Sequence, residues 1–208
     1  MLLSQRVAVV VDYQNMHLTA RGKFTPEGTP THESLLHPLL LAQQILKARA
    51  NAKGADTPPA DIAKVEVYRG LPSNEHDSTS YRRSQAQRAE WTRDSRVEVT
   101  YRPLRYRYVH NILTPQEKGV DVLVALNFVQ AVVSGEYDVV ILAAHDTDLE
   151  PALEMALDTP QAQARKVAIE TAGWYQCKRL QARGRRRMWH TFLGVNHYEA
   201  SRDTKDYT

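Results

Sequence analysis

A continuous apolar, β-branched run at 7–11 ends in Asp12, and a second at 139–144 ends in His145 and Asp146. Runs of this length without alternation are typical of strands buried on both faces, as in parallel sheets covered by helices. Weaker strands are expected at 64–68, 97–101 and 166–169. Between them, helical patterns cover 34–50, roughly 78–92, 120–133 and 149–157. The stretches 22–30 and 51–59 are loops, and Gly135 is placed to cap the helix that ends near Ser134. Strands alternating with helices of this length predict βαβ units. The expected fold class is α/β: a three-layer α/β/α sandwich around a mostly parallel central sheet of about five strands. No internal repeat interrupts this plan, and the polar tail from Ser201 onward is expected to fray.

Composition narrows the class without naming a function. The chain has 208 residues, enough for one domain with an elaboration, and a net charge of +3. A single cysteine, Cys177, excludes an internal disulfide framework and a cysteine-rich zinc site, and fits a reducing compartment. The longest apolar runs fall far short of the ~20 residues a membrane span needs, and the N-terminus lacks a signal-peptide layout. A soluble, cytoplasmic protein without membrane contact is expected.

The placement of charge changes the picture more than its total. Between Glu170 and Glu199 there is no acidic residue, while Lys178, Arg179, Arg183, Arg185, Arg186 and Arg187 are all positive. A second basic stretch, 82–107, carries eight arginines against Glu90, Asp94 and Glu98, with Tyr101, Tyr106 and Tyr108 interleaved or adjacent. Arginine interleaved with tyrosine suits a polyanion, although a solvated helix face reads the same way.

Open α/β sheets bind ligands beyond the carboxyl ends of their strands. Asp12, Asp146 and Asp148 are aimed there, and Asp121 opens the apolar helix 120–133. Carboxylates converging there repel by roughly 4 kcal/mol per pair at 4 Å for an effective dielectric near 20. Protons or a cation must relieve that repulsion, and hard oxygen donors favour Mg²⁺ or Mn²⁺. Each aspartate also has a purely structural reading: Asp12 and Asp148 as helix caps, Asp121 as a first-turn residue favoured by the helix dipole. Asn15, three residues after Asp12, shares its edge and suits water or carboxylate contact. Lys118, three residues before Asp121, suits phosphate contact. A phosphate loop of the GxxxxGK[ST] type and a GxGxxG turn are both absent.

Three segments in order carry a resemblance. Val7-Ala-Val-Val-Val-Asp12-Tyr-Gln-Asn15, then Glu117-Lys-Gly-Val-Asp121 before a long apolar helix, then Asp146-Thr-Asp148 with Pro151, resemble the NYN domain family of PIN-like nucleases over roughly residues 6–172. The resemblance implies a PIN-like α/β/α fold, an acidic metal pocket and, in many members, RNA hydrolysis. Asp12, Asn15, Asp121, Asp146 and Asp148 match its functional positions. Where the family usually has serine-glycine before the aspartate pair, this chain has Ala144-His145. Asn127 stands where an aspartate is common, about 240° around the helix from Asp121.

The expectation is therefore a metal-dependent ribonuclease, with Asp12, Asp121, Asp146 and Asp148 holding Mg²⁺ or Mn²⁺ and Asn15 positioning water or phosphate. RNA, single-stranded or structured, is the expected partner, held by Lys118, Arg183, Arg185, Arg186 and Arg187. Residues 1–172 form the nuclease domain and 173–208 a basic extension packed on it or trailing from it, with self-association left open. Ala144 and His145 motivate the rival reading, an RNA-binding or regulatory module that keeps the fold without cutting. A small-substrate phosphatase is the third reading, disfavoured by the basic stretches.

Overall fold

The computed structural model describes residues 4–207, apart from the side chains of Gln161 and Arg185. In chain order the elements are β1 (Gln5–Asp12), α1 (Tyr13–Phe24), α2 (Pro38–Lys53), β2 (Ala60–Leu71), α3 (Ser78–Trp91), β3 (Val97–Pro103), β4 (Arg105–Val109) and β5 (Ile112–Gln116). They continue with α4 (Val120–Ser134), β6 (Val139–Ala143), α5 (Glu150–Asp158), α6 (Pro160–Arg165), β7 (Ala168–Trp174), β8 (Trp189–Leu193) and α7 (Val195–Ser201).

The central sheet has six strands in the order β3-β2-β1-β6-β7-β8, every neighbouring pair parallel. The expected mostly parallel sheet is present, with a sixth strand added by β8. Connections wind outward from β1 to β3 on one side and from β6 to β8 on the other. The order therefore reverses between β1 and β6, which is where such sheets open a crevice at their carboxyl edge.

Alternation along β1 supplies both faces of the core. Val7, Val9 and Val11 meet α1, α2, Trp91 of α3 and Tyr198 of α7, while Ala8 and Val10 meet α4, α5 and Ala162 of α6. The sheet is thus covered on both sides, as its unbroken apolar strands require. Helix α4 buries Val124, Phe128, Ala131 and Val132 and turns Val122 and Leu126 outward. Gly135, at φ 69°, ends it in the left-handed conformation that suits glycine. On the first face, α2 is tied to β7 by a buried ion pair, Arg49 Nε to Glu170 Oε2 at 2.7 Å.

One element was not anticipated: the stretch 105–116 forms an antiparallel ribbon, β4–β5, outside the main sheet. One expectation is corrected. The tail after Ser201 does not fray: Asp203 accepts a hydrogen bond from the Trp91 indole at 2.6 Å, and its own N–H donates to the Leu35 carbonyl at 2.8 Å. Buried polar partners hold it down where its composition suggests solvent.

Candidate metal centre

Val11 of β1 lies opposite Ala143 of β6, so Asp12 and Asp146 emerge at the same sheet edge. Asp12 ends β1 and also caps α1, its Oδ1 accepting the Asn15 N–H at 3.2 Å. Asp146 caps a 3-10 turn, Thr147–Leu149, by accepting the Asp148 N–H at 3.0 Å. Asp121 arrives from the first turn of α4. That turn starts at Gly119, whose φ of 75° favours glycine and whose Cα lies beside the Arg102 guanidinium. One carboxylate oxygen each from Asp12, Asp121 and Asp146 lie within 4.8 Å of one another.

Proton affinities reflect this convergence. Asp12 is buried, and its pKa is pushed up to about 7, first by burial and then by the charges of Glu117, Asp121 and Asp146, against the Asn15 N–H. Asp121 is also raised, by partial burial and then by Asp146 and Asp148. Asp12 in this position holds a proton or a cation near neutral pH.

Other expected residues fall elsewhere. Asp148 is exposed and lies outside the trio, although its charge reaches Asp121. As a cap, its expected place is taken by Asp146, because Asp148 sits within the turn that Asp146 opens. The Asn15 side-chain oxygen accepts the His145 N–H at 2.7 Å, which clips α1 to the loop carrying Asp146. Asn127 turns back on its own helix and donates to the Leu123 carbonyl at 2.8 Å.

A further carboxylate, Glu117, brings its charge to Asp12 from just before α4. Its Oε1 accepts the Gly70 N–H at 2.7 Å, and burial raises its pKa. A methyl group on Gly70 would come 2.6 Å from that oxygen and 2.3 Å from the Leu104 side chain. A carboxylate only four residues before Asp121, just ahead of α4, was the available clue.

His145 is a strut. The Trp174 N–H donates to its Nε2 at 3.1 Å, which leaves Nδ1 as the donor to the Lys178 carbonyl at 3.0 Å. The neutral ring thereby satisfies both nitrogens, in accord with a pKa lowered by burial. It lies on Gly173, where a Cβ would come 2.5 Å from its Cε1.

The basic residues divide. Lys118 is exposed, and its carbonyl accepts from Arg102 Nε at 2.5 Å. In the carboxyl-terminal segment, Arg183 pairs with Glu154 at 3.4 Å and Arg186 with Asp158 at 2.5 Å, both across to α5. Arg187 is exposed, and the Arg185 side chain lies outside the described residues. In the stretch 82–107, Arg93 and Arg96 are spent on Glu90 and Asp94, and the Arg88 guanidinium lies 5.9 Å from the Tyr101 ring centre.

Among solved structures, a protein of unknown function from Vibrio parahaemolyticus matches with a TM-score of 0.50 over 92% of this chain and 93% of that one, at 16% identity. A likeness this remote speaks for the α/β fold alone. Comparison with curated proteins gives no match. The NYN domain family matches residues 6–160, a span that holds Asp12, Glu117, Asp121 and Asp146 and most of the sheet. The chain belongs to the NYN domain family, within the PIN-like nuclease superfamily.

Proposed function

We propose that this protein is a metal-dependent ribonuclease that hydrolyses RNA phosphodiester bonds at the pocket of Asp12, Asp121 and Asp146. The observation that carries the reading is the trio itself: three carboxylates from three separate elements within 4.8 Å. Family membership supports it.

The donor set fits a divalent cation. All three donors are hard oxygens, and Asp12 and Asp121 are held above the ordinary carboxylate range. That combination suits Mg²⁺ or Mn²⁺ better than zinc, which prefers nitrogen and sulfur. When bound, such an ion lowers the pKa of water and offsets charge on the reacting phosphate.

The remaining roles belong to the chain's own residues. Asp12, Asp121 and Asp146 would hold the ion. Asn15 holds the Asp146 loop against α1 through the His145 N–H. Glu117, pinned by Gly70, adds negative charge beside Asp12, and near pH 7 it makes a proton on Asp12 compete with metal. Lys118, exposed between Glu117 and Asp121, is the nearest cation in sequence for a substrate phosphate. Pairing of Arg183 and Arg186 with α5 reduces what those two arginines offer RNA. No helix among the described residues is long and apolar enough to cross a membrane, and a lone cysteine suits the cytoplasm.

The rival reading, a binding module without hydrolysis, draws on Ala144, a fully buried position that offers no hydroxyl beside the pocket. One experiment separates the two. Purified protein is incubated with fluorescent single-stranded RNA in Mn²⁺ or EDTA, beside Asp146→Asn. Cleavage that needs Mn²⁺ and vanishes in the variant supports the nuclease. Binding without cleavage in Mn²⁺ by the wild type supports the module.

A further inference from the structure

Between β3 and α4 the chain leaves the sheet and folds into the β4–β5 ribbon. Its two-residue loop, His110-Asn111, has both residues at positive φ, 48° and 61°. That pair matches the twist of a tight hairpin, and a histidine there accepts strain for it. The base is fixed: the Tyr106 hydroxyl accepts the Ser73 N–H at 3.0 Å, its ring lies 4.5 Å from His76, and the Leu104 N–H donates to the Leu71 carbonyl at 2.9 Å.

Above that base the ribbon stands in solvent. Tyr108 is 77% exposed and Ile112 68%. Alternation places Arg105 and Arg107 together on the other face from Tyr108, both exposed and in no ion pair among the described residues. Residues 101–116 contain three arginines and no acidic residue. The ribbon then runs directly into Glu117, with Asp121 five positions past Gln116.

The geometry points to the ribbon as the arm that grips single-stranded RNA beside the metal pocket, Arg105 and Arg107 on phosphates and Tyr108 stacked on a base. This rests on the nuclease reading above. Charge complementarity selects a polyanion: an uncompensated arginine pair stands next to a site proposed to cut phosphodiesters. An exposed tyrosine selects unpaired bases, since an A-form duplex hides its base faces and its deep major groove excludes side chains.

The test uses the full chain and fluorescein-labelled oligouridine, with binding read by anisotropy in EDTA at several salt concentrations. Arg105→Glu with Arg107→Glu should weaken binding and reduce the log–log salt slope by about 1.4, or 0.7 per phosphate contact. Tyr108→Ala should weaken binding about tenfold with the slope unchanged. Both should raise KM for cleavage in Mn²⁺, and circular dichroism should report an unaltered fold. An unchanged slope in the double variant overturns the proposal, as does equal or tighter wild-type binding to duplex RNA. So does a change confined to sedimentation, which would make the ribbon a self-association surface. Failures of the two readings are distinguishable. Ribbon-dependent binding without cleavage sinks the nuclease and keeps the grip; cleavage with unchanged KM in both variants does the reverse.

Discussion

Asp12 joins folding and chemistry in one carboxylate, since it caps α1 while facing Asp121 and Asp146. Its folded pKa, about 7, lies above the 3.8 of an ordinary aspartate, so the folded state holds the proton more tightly than the unfolded one. The sign is opposite to that of a salt-bridged aspartate: stability is highest below pH 4, declines as pH rises, and carries the full penalty above pH 7. The penalty is on the order of 4 kcal/mol at most. In EDTA at pH 8, Asp12→Asn should therefore melt several degrees above wild type by circular dichroism, with the gap closing towards pH 4. Mn²⁺ should raise the wild-type midpoint and leave the variant unmoved. Asp12→Ala should gain less, because it forfeits the cap, worth ~1 kcal/mol. A second prediction concerns Glu117. Gly70→Ala would displace its carboxylate, so Gly70→Ala and Glu117→Gln should both alter the Mn²⁺ concentration for half-maximal activity; a change in only one would uncouple the two residues. Strand-terminal aspartates were legible in the sequence because each closes an apolar run. Glu117 was not, since its anchor is 47 residues away.

Elements show the same division between local and distant causes. The helical phase of α4 was readable from its apolar spacing, and it sets Asp121 against Asn127. Asp121→Ala should abolish metal-dependent cleavage. Asn127→Ala, which removes only a bond to the Leu123 carbonyl, should stay within about twofold of wild type at saturating RNA. Equal loss from both would mean that the site extends around the helix. The β4–β5 ribbon escaped prediction because its alternating Arg and Tyr lack a buried face, and the packed side of an exposed hairpin is what makes a strand visible in sequence. Likewise β8, Trp-His-Thr-Phe-Leu, follows a run of arginines and presents too short a pattern. Both gaps have one cause: these strands are specified by what they pair with.

On the scale of the whole molecule, the first face of the core is closed by its carboxyl-terminal segment. Residues 201–207 bring Asp203 to Trp91, and the Tyr207 hydroxyl donates to Asp203 at 2.7 Å. A chain ending at residue 200 strands the buried indole N–H. That costs ~2 kcal/mol or more, or roughly 4–8 °C for a chain of this size. Thermal melts with tryptophan fluorescence would check it, and Asp203→Asn, which keeps an acceptor, should fall between the two.

That closure has a temporal side. Trp91 and Asp203 are 112 residues apart, and a ribosome adding about 5–20 residues per second needs roughly 6 to 22 seconds to deliver the partner. Late in that interval, once Trp174 is made and before Trp189 arrives, β8 is unmade and β7 is the sheet's open border, with its backbone donors and acceptors free to template another strand. The nascent chain thus passes through a stage with its three clustered aspartates already made and its most adhesive edge uncovered. A translational pause between residues 175 and 188 should therefore raise the aggregated fraction of newly made protein, read by sedimentation of the translation product.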